Sequence, residues 1–269
     1  MSLSTAWLVL GIAALAVQVA SAQQTHEHGI GVADAAHLLH FSHPIFTESI
    51  SPDTKLRLDF AQSWGDEENE SEVEFEGEYA FTPAISLQVV APYVVVSPSG
   101  ADAFSRIGTV ELAVKMANYA FAEHGVLVGY GMQLGLPTGS DSVGIGSDHQ
   151  WDLGPFLAVG YKRGPIELVG RSAFGIPVNQ AAGEEVETDL AYDFSGLYHV
   201  ARRVEGMVEL NGGVVLSGEA AGSNVVRLSP GVKVAPLSTD ALFLGVGASF
   251  QLESDGADTQ LRISAFYHF

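Results

Sequence analysis

Histidine is concentrated near the amino end of this chain. Five of its nine histidines precede residue 44, namely His26, His28, His37, His40 and His43. If residues 32–41 form a helical turn or two, His37 and His40 share one face of it, with His43 close behind. Clustered imidazoles bind Zn²⁺ or Cu²⁺. The five histidines are therefore candidate metal ligands, although no Cys or closely spaced carboxylate completes a tetrahedral set.

Residues 23–54, which contain these histidines, also have an apolar character. Their larger apolar side chains are Leu38, Leu39, Phe41, Ile45 and Phe46. Such a segment suits an amphipathic plug, and it equally suits a passive lead-in to whatever follows. The sequence leaves metal binding, plugging and a passive role open.

Charged residues at every second position form another group of candidates. Three acids on one predicted strand face three charged residues of the strand before it: Glu74, Glu76 and Glu78 against Lys55, Arg57 and Asp59. Such rows fit a selectivity ladder that lines a pore, or a polar core in which buried charges pair with one another. The candidate lumen-lining residues are Arg57, Glu74, Glu76, Glu78, Glu111, Lys115, Arg171, Arg227 and Arg262.

Catalytic patterns are weak in this chain. The glycine-rich stretch 139–146 lacks the Lys-Ser/Thr pair and the following helix of a phosphate-binding loop. A serine hydrolase needs its nucleophile within reach of a base. His149 and Ser172 share a predicted face, but their predicted heights differ. We therefore expect no enzymatic activity.

The elements that position these residues are strands. Residues 259–269 alternate strictly between apolar and mixed positions and end on the aromatic Phe269. From Lys55 onward the pattern predicts twelve strands, at 55–64, 72–81, 85–96, 106–121, 125–137, 149–162, 165–177, 187–200, 204–217, 225–236, 240–252 and 259–269. Longer loops follow the odd strands and tight turns the even ones. This predicts an all-β, transmembrane, antiparallel up-and-down barrel of about 12 strands.

Composition agrees with a membrane barrel. The net charge is −20, yet 47% of the residues are hydrophobic. Most Lys and Arg residues fall on the face opposite the apolar one, and the others lie in turns or at strand ends. A Lys or Arg at the lipid midplane would cost about 2–4 kcal/mol. This alternation of apolar and charged positions along the strands therefore predicts an apolar outer face and a charged lumen.

The start of the chain has the features of a secretory signal. Residues 7–19 form an apolar run, and Ala20, Ser21 and Ala22 follow as a small-residue cleavage site. We therefore predict a signal peptide at 1–22, a His-rich periplasmic segment at 23–54 and an outer-membrane barrel at 55–269. With no Cys, no disulfide can form.

One stretch resembles a known family. Within residues 133–149 a predicted strand ends in Leu-Pro-Thr-Gly (136–139) before a glycine-rich loop. This arrangement, and the layout of 55–269, is similar to the "MetA-pathway of phenol degradation" outer-membrane proteins. The resemblance implies a small barrel in a Gram-negative bacterium that transports aromatic or other small solutes.

Two functions follow as hypotheses. The first is a channel or transporter for a small solute, which the resemblance suggests is aromatic or hydrophobic. The alternative is a non-conducting structural or metal-responsive barrel. No cofactor is certain, and Zn²⁺ or Cu²⁺ at the histidines is the candidate. The expected partners are outer-membrane lipid and lipopolysaccharide, the barrel-assembly machinery through Phe269, and the solute, but no nucleic acid.

Overall fold

The computed structural model describes residues 39–65, 68–178, 187–237, 241–252 and 258–269. Most of them are strand, with two single-turn 3-10 helices at Ala122–His124 and Asp141–Val143. The strands are β1 (Lys55–Trp64), β2 (Glu68–Thr82), β3 (Ile85–Pro98), β4 (Phe104–Ile107), β5 (Glu111–Asn118), β6 (Val126–Gly135), β7 (Asp152–Arg163), β8 (Ile166–Pro177), β9 (Asp189–Ala201), β10 (Val204–Val215), β11 (Asn224–Val234), β12 (Leu242–Gln251) and β13 (Thr259–His268). Among these described residues, no helix is long and apolar enough to cross a membrane.

The strands close into a single antiparallel barrel. Neighbours in sequence pair around the sheet, and β1 pairs with both β2 and β13. The closing seam runs from Lys55 opposite His268 to Trp64 opposite Thr259. Because β4 and β5 both pair with β3, they occupy one strand position in the barrel, interrupted in the middle. The thirteen strand segments therefore form a barrel wall of twelve strands. The predicted barrel class and strand number are confirmed.

The interruption between β4 and β5 differs from the predicted continuous strand 106–121. Gly108 N–H donates to the carbonyl of Pro92 in β3, and Pro92 itself has no N–H to offer the ladder. On the other side, the Thr138 hydroxyl accepts from Val110 N–H and donates to the Gly108 carbonyl, both at 2.8 Å. The side chain of Thr138, in the loop after β6, therefore makes the hydrogen bonds that a continuous strand partner would make. As a result, β6 ends at Gly135 rather than at the predicted 137.

Side chains alternate between an apolar outer face and a charged inner face. On β1, Leu58 and Phe60 are 51% and 43% exposed, whereas Lys55 and Asp59 are each 1% exposed. The exposed large residues of the other strands are also mainly apolar. Only a barrel that stands in lipid gains from this arrangement, because the lumen then shields the charges.

Both ends of the described chain lie at the same end of the barrel. Phe269 N–H donates to the Thr54 carbonyl. This end carries the connections at 83–84, 119–125, 164–165, 202–203 and 235–241, of which three are two-residue turns. The opposite end carries 65–67, 99–103, 136–151, 178–188, 216–223 and 252–258. We call these two ends the turn end and the loop end.

Residues 39–54, here called the lumenal segment, lie inside the barrel. Phe41 and Ile45 are completely buried. A Cβ on Gly160 would lie 2.6 Å from the Phe41 ring, and one on Gly129 would lie 2.7 Å from Ile50. Glycine in the wall is therefore what lets these side chains fit. The sequence placed residues 23–54 on the periplasmic side, as a plug or a passive lead-in. Residues 39–54 lie in the lumen, and residues 1–38 lie outside the described part of the chain.

The two faces of the wall lead to a depth-dependent prediction. Phe60 lies on the outer face near the middle of β1, and Trp64 lies on it at the strand end. We expect Phe60→Arg to lower the free energy of unfolding by about 2–4 kcal/mol, and Trp64→Arg by only about 0–1 kcal/mol. Guanidinium unfolding of the protein in phospholipid vesicles measures both. Equal losses would contradict the assignment of depth.

Candidate functional site

A single buried carboxylate holds the middle of the lumenal segment. Glu209, on the inner face of β10, accepts the backbone N–H groups of Ile45 at 2.9 Å, Phe46 at 3.1 Å and Thr47 at 2.6 Å. In the described part of the chain no cationic nitrogen lies within 4.0 Å of this carboxylate. Its charge is therefore balanced by three consecutive N–H groups, an arrangement in which each bond is charge-assisted.

Other charged wall residues bind the backbone on either side. Lys162 and Lys233 donate to the carbonyls of His40 and His43 at 2.6 and 2.8 Å. Glu167 accepts the N–H of Ser42 at 2.7 Å. The Arg57 guanidinium donates to the Ile45 carbonyl. Cations thus take the carbonyls and anions take the N–H groups, which fixes both the position and the direction of the segment.

Apolar contacts fill the spaces between these anchors. Leu39, Phe41 and Ile50 pack in one buried cluster with Tyr119 and with small or branched wall residues, namely Ala117, Leu127, Ala158 and Val169. Ile45 packs with Leu197 and Met207. At this level apolar side chains of the segment fill space inside the barrel.

A network of five charged residues joins the segment to β1, β2 and β5. Lys55 lies 2.8 Å from Glu76 and 3.2 Å from Glu78, and Lys115 lies 3.0 Å from Glu78. Glu48 of the segment lies 2.9 Å from Lys115 and 3.5 Å from Lys55. Burial alone would raise the pKa of Glu48, but Lys115 and Lys55 outweigh it and hold that pKa well below its usual range.

The nine predicted lumen-lining residues all lie on the inner face, but they divide into two groups. Arg57, Glu76, Glu78 and Lys115 surround the lumenal segment, and Arg57 is also 2.7 Å from Asp59. The predicted facing of β1 and β2 is observed, with Lys55, Arg57 and Asp59 opposite Glu78, Glu76 and Glu74. These charges are mostly paired, as a polar core requires.

The second group lies nearer the loop end. Arg171 is 3.4 Å from Asp193 and donates to Gln133, which donates in turn to Glu111. Arg262 lies 3.4 Å from Asp59, and Arg227 pairs with Asp258. Neither Glu74 nor Glu111 has a cationic nitrogen of the described residues within 4.0 Å, and Glu111 accepts only from Gln133. This half of the lumen therefore carries the more weakly paired charges.

Three imidazoles meet one carboxylate at the turn end. Asp53 Oδ2 lies 2.9 Å from His43 Nε2, 2.8 Å from His268 Nδ1 and 3.6 Å from His40 Nε2. Lys55 Nζ lies 3.1 Å from the other ring nitrogen of His43. Of the five histidines singled out from the sequence, His40 and His43 belong to this cluster, while His26, His28 and His37 lie outside the described residues.

Electrostatics in this cluster keep the carboxylate ionised and one imidazole neutral. Burial lowers the pKa of His43 well below its usual range, and the Lys55 ammonium lowers it further. Burial alone would raise the pKa of Asp53, but hydrogen bonds from His268 and His43 outweigh it and hold that pKa well below its usual range. Asp53 thus carries a negative charge that three imidazole nitrogens surround.

Asp53 and His268 were missed as candidates from the sequence. The signal was present in the closure of the barrel. The predicted first and last strands must pair to close the barrel, so Lys55 at the start of one and His268 at the end of the other lie near each other. Asp53 precedes Lys55 by two residues, so it lies beside the same seam.

Comparison with known proteins supports the fold. No family model matches the chain, and a search of curated proteins finds no match. Solved structures match well. The COG4313 outer membrane channel from Pseudomonas putida F1 superposes with a TM-score of 0.64 at 15% identity, over 85% of this chain and 100% of that one. The NanC porin gives 0.58 at 8% identity, over 80% and 100%, and the KdgM porin gives 0.52 at 9%, over 79% and 99%.

At these identities the likeness shows the fold alone, and the fold is that of outer-membrane channels and porins. The resemblance to the phenol-degradation family stays a hypothesis, since no family model matches. With its closed twelve-strand wall and apolar outer face, the chain is a β-barrel protein of the bacterial outer membrane.

Proposed function

We propose that this protein is an outer-membrane channel for small solutes, closed by its own lumenal segment and opened when that segment moves. The observation that carries the proposal is the capture of residues 42–47 by charged wall residues, chiefly Glu209. A barrel that served only as a scaffold could fill its lumen with apolar side chains from its own wall. This wall instead offers carboxylates, ammonium groups and a guanidinium to a removable strip of backbone.

Water can take the place of that strip. Without the lumenal segment, the wall would present Arg57, Glu167, Glu209 and Lys233 to an open bore, and each of these groups is readily hydrated. A twelve-strand barrel lies between those that side chains fill and those with a wide aqueous channel. A narrow, polar passage is the expected open state. That two of the similar structures are porins and one is an outer membrane channel supports this proposal.

The lumen also offers surfaces that suit an aromatic solute. Three guanidinium groups lie over aromatic rings: Arg57 over Phe266 at 4.8 Å, Arg171 over Phe156 at 5.1 Å and Arg262 over Phe46 at 5.3 Å. Phe46 belongs to the lumenal segment, so its departure uncovers the face of Arg262. An aromatic solute could stack there in its place. We therefore favour small aromatic compounds, which the family resemblance also implies.

Removal of the lumenal segment tests the proposal directly. We expect a variant that lacks residues 23–51 to fold, because the wall begins at β1, and to give a larger single-channel conductance in planar bilayers than the full mature chain. The matched control lacks residues 23–38 and keeps every described contact of the segment, so it should conduct like the full chain. A folded 23–51 deletion with unchanged conductance would favour the non-conducting alternative.

A single substitution tests the anchor. Glu209→Gln keeps the size of the side chain but removes the charge that three N–H groups share. Loss of a charge-assisted hydrogen bond costs about 1.5–3 kcal/mol, so we expect the ratio of open to closed dwell times to rise by about tenfold or more. Glu111→Gln is the control, since Glu111 is a lumenal carboxylate that accepts a hydrogen bond from Gln133 of the wall. Equal dwell times in the wild type and Glu209→Gln would remove Glu209 from the mechanism.

A further inference from the structure

We propose that His40, His43, Asp53 and His268 form a Zn²⁺ site that ties the lumenal segment to the last strand of the barrel. Three of the ligands belong to the segment, and His268 belongs to β13. The site itself stands on the geometry of these four residues. Only its effect on conductance rests on the proposed function.

The separations suit tetrahedral coordination. Zn²⁺ binds imidazole nitrogen at about 2.0–2.1 Å and carboxylate oxygen at about 2.0–2.2 Å, so neighbouring donors of a tetrahedron lie roughly 3.3 Å apart. The three imidazole nitrogens lie 2.8, 2.9 and 3.6 Å from Asp53 Oδ2. The ligand atoms of His40, His43 and Asp53 all lie within 4.8 Å of one another. His268 joins this group through its 2.8 Å contact with Asp53 Oδ2, and a turn of its ring towards the other two imidazoles would complete a site of three nitrogens and one oxygen.

An entry path and a firm support are both present. The His40 side chain is 46% exposed at the turn end, so an ion can reach the cluster from solvent. His43 is buried and stacks on Phe266 with ring centroids 5.9 Å apart, and its ring lies 5.0 Å from that of His268. One exposed ligand beside packed ones is an arrangement that admits an ion and then holds it.

Binding would change one hydrogen bond in a defined way. A lysine ammonium only donates, so His43 accepts from Lys55 at Nδ1 and carries its proton on Nε2, towards Asp53. When Nε2 binds the metal, the ring proton moves to Nδ1, and the bond with Lys55 ends. Lys55 keeps Glu76 at 2.8 Å and Glu78 at 3.2 Å. The imidazole stays neutral throughout, and Lys55 remains in the charged network that holds Glu48.

The binding experiment uses the full mature chain in detergent, with Zn²⁺ titrated by calorimetry and Co²⁺ as a spectroscopic probe. We expect one ion per chain and the intense visible absorption of tetrahedral Co²⁺. His268→Gln should weaken binding by tenfold or more, whereas His124→Gln, on a distant turn, should leave it unchanged. The deletion of 23–38 removes His26, His28 and His37 and should retain the site. Loss of binding in that deletion, or equal affinity in His268→Gln and the wild type, would overturn the assignment.

The bridging role has its own readout. If the closed state binds Zn²⁺ and the open state does not, free Zn²⁺ at 100 times its dissociation constant shifts the equilibrium about hundredfold towards the closed state. We expect Zn²⁺ to lengthen closed dwell times in the wild type and in His124→Gln, but not in His268→Gln. If Zn²⁺ binds but dwell times do not change, the proposal that the ion ties the segment to β13 would be wrong, although the metal site itself would stand. If the 23–51 deletion does not conduct, the proposed channel function is contradicted. The Zn²⁺ and Co²⁺ binding data would still test the metal site on their own.

Discussion

The inner wall carries charges that must find partners, and this constraint determines where the lumenal segment lies. Leaving a buried charge without a partner costs several kcal/mol. Glu209 shows the constraint most clearly, because three backbone N–H groups balance it and no cation of the described residues lies within 4.0 Å. The position of Glu209 in the wall therefore requires three backbone N–H groups that are not otherwise hydrogen-bonded. Residues 45–47 provide them.

The same constraint accounts for the glycines and for the bend of the chain into β1. Wall glycines at 129 and 160 leave room for Ile50 and Phe41, so the polar anchors can reach the backbone without a steric conflict. The segment then leads directly into β1, whose seam with β13 brings residues 53 and 268 together. Anchoring, packing and closure thus depend on one continuous path of the chain.

Much of this architecture follows from the sequence, and the reasons for the exceptions are physical. The alternation on β1 and β2 predicted the facing of Arg57 and Glu76 because strand side chains have a period of two. The break at residues 108–110 was not predictable from that alternation, since it depends on Pro92 in another strand and on Thr138 in a loop. The lumenal segment has no such period, so only the three-dimensional positions of Glu167, Glu209 and Lys233 reveal where it lies. Closure of the barrel places both His268 and Asp53 beside the seam near Lys55, but the contact between their side chains became evident only in the fold.

Polar anchors also suit a segment that has to leave and return. Ordering each residue of the segment costs about 1–2 kcal/mol of conformational entropy, and each charge-assisted bond contributes about 1.5–3 kcal/mol. The charge-assisted bonds therefore offset part of the ordering cost, and burial of Phe41 and Ile45 offsets more of it. When the segment leaves, the exposed carboxylates and ammonium groups gain hydration, whereas a wall built to hold an apolar plug would expose an apolar surface. A modest local change, such as the loss of one carboxylate or the gain of one bound ion at Asp53, is then enough to shift the balance between the two states.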